Sequence, residues 1–148
     1  MTIRSAAGAA PSARPLPLDR PDVSALLGDW LNTDRRAMSK GPLRLTVAAR
    51  GTGIAVRVLG SIAADGRFAA DRQPPDWGEV PAAVYTAPGA PSVASSFSAV
   101  YELGAFRTVL CAYHKTGILV ATASSVPLDG GGPGTWTRSF FHPVGEGA

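Results

Sequence analysis

Apolar and polar residues alternate with a period of two along most of this chain. Leu43, Leu45 and Val47 are interleaved with Arg44, Thr46 and Ala48, and Ile54, Val56 and Val58 with Ala55 and Arg57. The same beat returns in Phe97, Ala99, Tyr101 and Leu103. It returns again in Trp136, Arg138, Phe140 and His142, set against Thr135, Thr137, Ser139 and Phe141. A β-strand with one buried face needs this spacing, because successive side chains leave opposite faces of a sheet. Turn residues separate the runs: Gly51-Thr52-Gly53, Gly104-Ala105, Thr116-Gly117 and the Asp129–Gly134 stretch. Eight strands are predicted, over 29–34, 43–50, 53–61, 80–87, 95–103, 106–115, 117–126 and 134–143. The short links favour antiparallel hairpins in up-and-down order.

Ahead of the strands, Asp19 to Gly28 reads as one short helix. Asp19 suits its cap, Pro21 its first turn and Gly28 the position just past its end, while Val23, Leu26 and Leu27 form one apolar face. Eight antiparallel strands can close into a barrel, which removes every unpaired edge; a two-sheet sandwich is the alternative. Residues 1–18, rich in Pro, Ala and Arg, read as a disordered tail. Residues 19–144 read as a single barrel domain, and 145–148 as a loose C-terminus. Two longer links, 35–42 and 62–79, are the candidate lids.

Composition narrows the picture. The chain has 148 residues, long enough to bury one full core, and Gly 17 with Pro 13 argues against a mostly helical protein. The single Cys111 excludes an intrachain disulfide. Charge is a narrow +3, with the arginines scattered rather than clustered, so nucleic acid is not an expected partner. No apolar run approaches a membrane span, and the N-terminus lacks the apolar core of a secretory signal, which leads to a cytoplasmic expectation. The Ala/Gly/Pro/Arg bias is that of a GC-rich bacterial genome.

The string Leu27-Gly28-Asp29-Trp30 places a G-x-W at the start of the first strand, directly after the short helix. This resembles the calycin superfamily of lipocalin-like barrels. The combination of Trp30-x-Asn32-Thr33-Asp34 with Asp76-Trp77-Gly78 is similar to small bacterial barrels within it. The resemblance covers about residues 26–142 and implies an eight-stranded antiparallel up-and-down barrel. It implies that Trp30 packs at the closed end with Arg138 of the last strand across its ring, a contact in which a guanidinium stacks on an indole. The second lipocalin motif, T-D-x-x-Y, is absent.

Few residues suggest chemistry. His114 and His142 have no ligand partner at metal spacing, so no metal and no cofactor are expected. Ser95, Ser96, Ser124 and Ser125 lack a nucleophile elbow. Cys111, within an apolar strand, reads as a small buried hydrophobe. Parity turns Leu45, Val47, Val56, Val58, Phe97, Tyr101, Trp136 and Phe140 inward. Of these, Val56, Val58, Phe97, Tyr101, Trp136 and Phe140 are the candidate ligand contacts, and Trp30, Arg138 and Trp77 the structural ones. His114, Tyr101 and Glu102 are the candidate acid–base groups, and an Arg57–Glu102 pair in the lumen is a further option. An apolar lumen with a few hydroxyls is the usual lining of a small-molecule site. The expected function is binding of an apolar small molecule, a lipid or a polyketide-like metabolite. The alternatives are a cofactor-free cyclase or isomerase of secondary metabolism in the same cavity, or an interaction module using the 62–79 link. A homodimer is compatible with any of them.

Overall fold

The computed structural model describes residues 20–34, 41–61 and 74–145. Eight strands, β1 (Gly28–Asn32), β2 (Pro42–Arg50), β3 (Gly53–Gly60), β4 (Asp76–Ala87), β5 (Ala90–Leu103), β6 (Phe106–Lys115), β7 (Ile118–Pro127) and β8 (Thr135–Pro143), follow one another in sequence order. Each pairs antiparallel with the next, and β1 pairs with β8 to close the barrel. The all-β, up-and-down reading therefore holds, and the sandwich does not. The closing seam is short: Trp30 opposes Pro143, Leu31 opposes His142 and Asn32 opposes Phe141.

Turn chemistry explains the hairpins. Thr116 and Gly117 both have positive φ, at 52° and 83°, the mirror-image turn that matches the twist of two paired strands. At the other end, Gly60 has no room for a side chain, because an added Cβ would lie 2.3 Å from the Gly41 carbonyl oxygen. The crowding sits where the register of β2 shifts against β3, between Pro42 and Arg44. β4 begins at Asp76 rather than at 80, so Trp77 and Gly78 belong to a strand and not to a link. A register shift opposite Val58 and Leu59 accommodates the extra residue.

The predicted helix is shorter than its sequence suggests. Only Ser24–Leu26 is helical, as a single 3-10 turn. Asp22 is instead drawn into a bridge with Val93 of β5: its amide donates to the Ser92 carbonyl, and its own carbonyl accepts from the Ala94 amide. That extended pairing competes with a helical start. Asp22 Oδ1 then accepts the Ser24 amide from a position just ahead of the turn. Asp19, the expected cap, the expected tail at 1–18 and most of the two long links lie outside the described residues.

The core is one cluster inside the barrel, with Leu26, Leu45, Val56, Val58, Phe97 and Phe141 almost wholly buried. Phe141→Ala should cost about 3–5 kcal/mol, the range for emptying a buried aromatic site. Val126→Ala on the outer surface should stay within about 0.5 kcal/mol. Urea unfolding of the two variants checks both values.

Candidate functional site

One end of the barrel is closed by side chains. Trp30 enters from β1, and its indole N–H donates to the Leu26 carbonyl at 3.1 Å, fixing the 3-10 turn beneath the barrel floor. The ring meeting Trp30 edge-on is His114, at 6.2 Å between centroids, and not Arg138. The pairing of β7 with β8 explains the correction. Leu119 opposes Phe141, and Ala121, Ala123 and Ser125 oppose Ser139, Thr137 and Thr135. Directly opposed residues share a face, so β8 turns Phe141, Ser139, Thr137 and Thr135 inward. Arg138 therefore stands on the outer surface, with its guanidinium 4.9 Å over the Phe140 ring. Trp136 and Phe140, expected in the lumen, are exposed on the outside with it.

At the opposite end, Trp77 is buried and its indole N–H donates to the Gly60 carbonyl at 3.0 Å. Its ring packs edge-on against Tyr101 at 5.2 Å. The Tyr101 hydroxyl donates to the Val56 carbonyl at 2.6 Å, with the Gly78 carbonyl at 3.3 Å. Burial pushes the Tyr101 phenol well above its ordinary range, and the carboxylates of Asp76 and Glu79 push in the same direction. Val56, Val58, Phe97 and Tyr101 are all buried in the lumen. They pack with Leu45 and Trp77 into a filled wall.

The facing wall, from β6 to β8, is built differently. Its inward positions mix small or hydroxylated residues, Thr108, Ala112, Ala121, Ala123, Ser125, Thr137 and Ser139, with the fully buried Leu110 and Leu119. Thr108 and Ser125 share a buried hydroxyl–hydroxyl hydrogen bond of 2.6 Å. Thr137 and Ser139 point inward yet are only partly buried, whereas Phe141 on the same face is fully buried at the closed end. Strand parity alone turns the other phase of β8 inward and so does not foresee these hydroxyls in the lumen. Both phases of β7 are small, Ala121, Ala123 and Ser125 against Thr122 and Ser124, so only the pairing with β8 tells which one lines the lumen.

The acid–base candidates are not brought together. Glu102 lies on the outer face, 2.7 Å from Arg107. Arg57 pairs with Asp76 at 3.2 Å, also outside, so no Arg57–Glu102 couple exists in the lumen. Tyr101 opposes Thr108, and His114 follows six residues along β6, about 20 Å away at the usual strand rise. His114 is half-buried and belongs to the closed end, beside Trp30. Among the described residues, no group of three His, Cys, Asp or Glu could hold a metal ion, and no helix is long and apolar enough to cross a membrane.

The outside of the barrel is two-sided. On β1–β4 it carries the ion pairs Asp29–Arg44, Arg50–Glu79 and Arg57–Asp76, at 3.0–3.2 Å. On β4–β8 it forms an open apolar hollow of about 370 Å³ edged by Tyr85, Tyr113 and Arg138, with Ser98, Cys111 and Thr122 on its floor. Cys111 is exposed there, not buried, because its phase on β6 is that of Tyr113 and Val109. Fold and site together define a closed eight-stranded antiparallel β-barrel with one packed end and one hydroxyl-lined inner wall. No protein-family model, curated protein or solved structure matches this chain.

Two pH effects follow. A phenol whose folded pKa is raised binds its proton more tightly when folded, so that stabilisation is present below pH about 10 and lost as pH rises beyond it. Alkaline titration followed by tyrosinate absorbance should show one phenol ionising only with unfolding, and Tyr101→Phe should remove that late phase. Asp76 has the opposite sign. The Gly78 amide and then Arg57 hold its carboxyl below the usual range. Its stabilisation is present above pH about 4 and lost as pH falls further. Asp76→Asn should flatten the acid limb of stability measured by urea unfolding between pH 5 and pH 2.

Proposed function

We propose that this barrel binds a small apolar molecule carrying one or two hydrogen-bonding groups, of lipid or polyketide-like chemistry, against the β6–β8 wall of its lumen. The carrying observation is the inner face of β8. Thr137 and Ser139 point into the barrel without being fully covered, opposite Ala121 and Ala123, while Trp136 and Phe140 of the same strand face out and Phe141 fills the closed end. Small side chains leave room, and hydroxyls supply the few oriented polar contacts that a largely apolar site uses to fix a ligand. The filled wall of Phe97, Tyr101 and Trp77 gives that site a rigid apolar back. The Gly28-Asp29-Trp30 start of β1, the Trp30 contact with the turn before it and the up-and-down closure support placing the chain with the calycins.

The cyclase reading needs an acid or base at this wall. The Tyr101 hydroxyl is already donated to a backbone carbonyl, His114 belongs to the closed end and Glu102 is outside. Binding is therefore the function the geometry supports best.

Titration with anilinonaphthalene sulfonate and with a long-chain fatty acid, alongside native mass spectrometry of protein from its source, tests the reading. Saturable uptake is expected. Ser139→Phe should weaken it at least ~10-fold, roughly the effect of about 1.4 kcal/mol, with the thermal transition still cooperative. No uptake and a clean mass would overturn the reading. Uptake untouched by Ser139→Phe but lost in Cys111→Trp would move the ligand to the outer hollow.

A further inference from the structure

The outer surface of β4–β8 has no role in the lumenal reading, and its chemistry is unusual for a face open to water. Six large apolar side chains stand on it, Tyr85, Val100, Tyr113, Val126, Trp136 and Phe140, exposed by between 40% and 62%. They fall in cross-strand rows. Tyr85 opposes Ser96, which opposes Tyr113, which opposes Val120, which opposes Phe140. Four residues along, Val100, Val109, Ser124 and Trp136 are aligned in the same way. Pairing of β5, β6, β7 and β8 runs without a register shift, so this part of the sheet is regular. The row between them carries its one charged side chain, Arg138, which lies on Phe140. Ion pairs populate the other side of the barrel.

We infer that this face is the interface of a two-fold dimer, in which Trp136 of each copy seats in the Tyr85–Tyr113–Arg138 hollow of the other. Self-complementarity is the requirement of such an interface, because the same patch must supply both the projection and the recess. This patch has both. Trp136 is its most exposed large side chain, at 62%, and the hollow of about 370 Å³ lies on the same face with a floor of small residues. An indole entering there meets two tyrosine edges and the Arg138 guanidinium, contacts that favour aromatic and cationic neighbours of a tryptophan.

The area is of the right order. With a whole aromatic side chain presenting ~150–250 Å², the six exposed residues offer on the order of 600 Å². The intervening Ser, Thr and Val side chains bring this toward the ~800 Å² per partner of a standard interface. A patch of that size is at the upper limit of what monomers leave open. A second copy fits better than an anionic membrane surface, because the central rows hold a single cation, Arg107 beside them is paired with Glu102 at 2.7 Å, and Lys115 lies beyond them at the end of β6. The inference is independent of what the lumen holds.

Sedimentation velocity of the full chain from about 1 to 100 µM is the test, with Trp136→Glu and the hollow-filling Thr122→Arg beside the wild type. Both positions are on the outer surface, and far-UV circular dichroism confirms that the barrel is retained. The wild type is expected to dimerise in this range. Each substitution should weaken the dimer at least ~30-fold, the effect of losing one hot-spot aromatic or its recess. Mixing the two variants should restore part of the association, since one intact projection then meets one intact hollow. A wild type that stays monomeric at the highest concentration overturns the inference, as does a dimer that survives both substitutions. A monomeric wild type that floats with phosphatidylglycerol vesicles, and loses this in Trp136→Glu, overturns it in favour of a lipid surface.

Discussion

Closure of the barrel depends on β1, and the position of β1 depends on Trp30. β1 is five residues long and must pair with β2 on one edge and β8 on the other. So short a strand gains little from its ladder alone. The buried indole adds what the ladder lacks, by filling the floor against His114 and bonding to the Leu26 carbonyl. Through that bond the preceding turn is locked in place, and through Asp22 the same segment reaches β5 on the far side of the floor. The closed end is thus a strap tied at two points. Every inward-facing side chain above it inherits its register from that fixed base.

The remaining lumen divides according to residue size. Bulky residues of β2 to β5 fill one wall, and polar atoms buried there are consumed by the backbone: Tyr101 by Val56, Trp77 by Gly60. Such satisfied groups stiffen a core and leave little for a ligand. The other wall, from β6 to β8, sets Leu110 and Leu119 among small and hydroxylated residues, with Thr108 and Ser125 bonded to each other. The outer surface divides too, with three ion pairs on β1–β4 and the exposed aromatics on β4–β8. One strand, β8, carries this division most clearly: Trp136, Arg138 and Phe140 face out, while Thr135, Thr137 and Ser139 face in, with Phe141 at the closed end.

Strand positions were legible in the sequence, because alternation and turn chemistry act locally. The number and order of strands, the hairpin at Thr116-Gly117 and the burial of Leu45, Val56, Val58, Phe97 and Tyr101 all followed from it. What alternation cannot say is which phase faces in. On β8 hydrophobicity favours the aromatic phase as the inner one, whereas pairing with β7 turns Trp136, Arg138 and Phe140 outward. The deciding information is non-local: Phe141 must oppose Leu119, and that pairing sets the whole strand. Cys111 misled for the same reason. The expected helix failed because Asp22 found a partner strand far along the chain, a competitor that no local propensity reports.

The seam between β1 and β8 joins the two ends of the described barrel, so it is the contact with the greatest separation along the chain. Each hairpin from β2 to β8 can form from near neighbours, and the tight Thr116-Gly117 turn suits an early one. The seam can only form after the rest of the sheet has curled round, since the entropy of closing so long a loop must be met before any bond repays it. Until then the growing sheet has two unpaired edges and an apolar outer face, the surfaces on which chains associate wrongly. Three residue pairs and one tryptophan end that period. The speed at which this protein matures, and its yield at high concentration, are therefore set at Trp30–Asn32 rather than in the long strands that hold most of its hydrogen bonds.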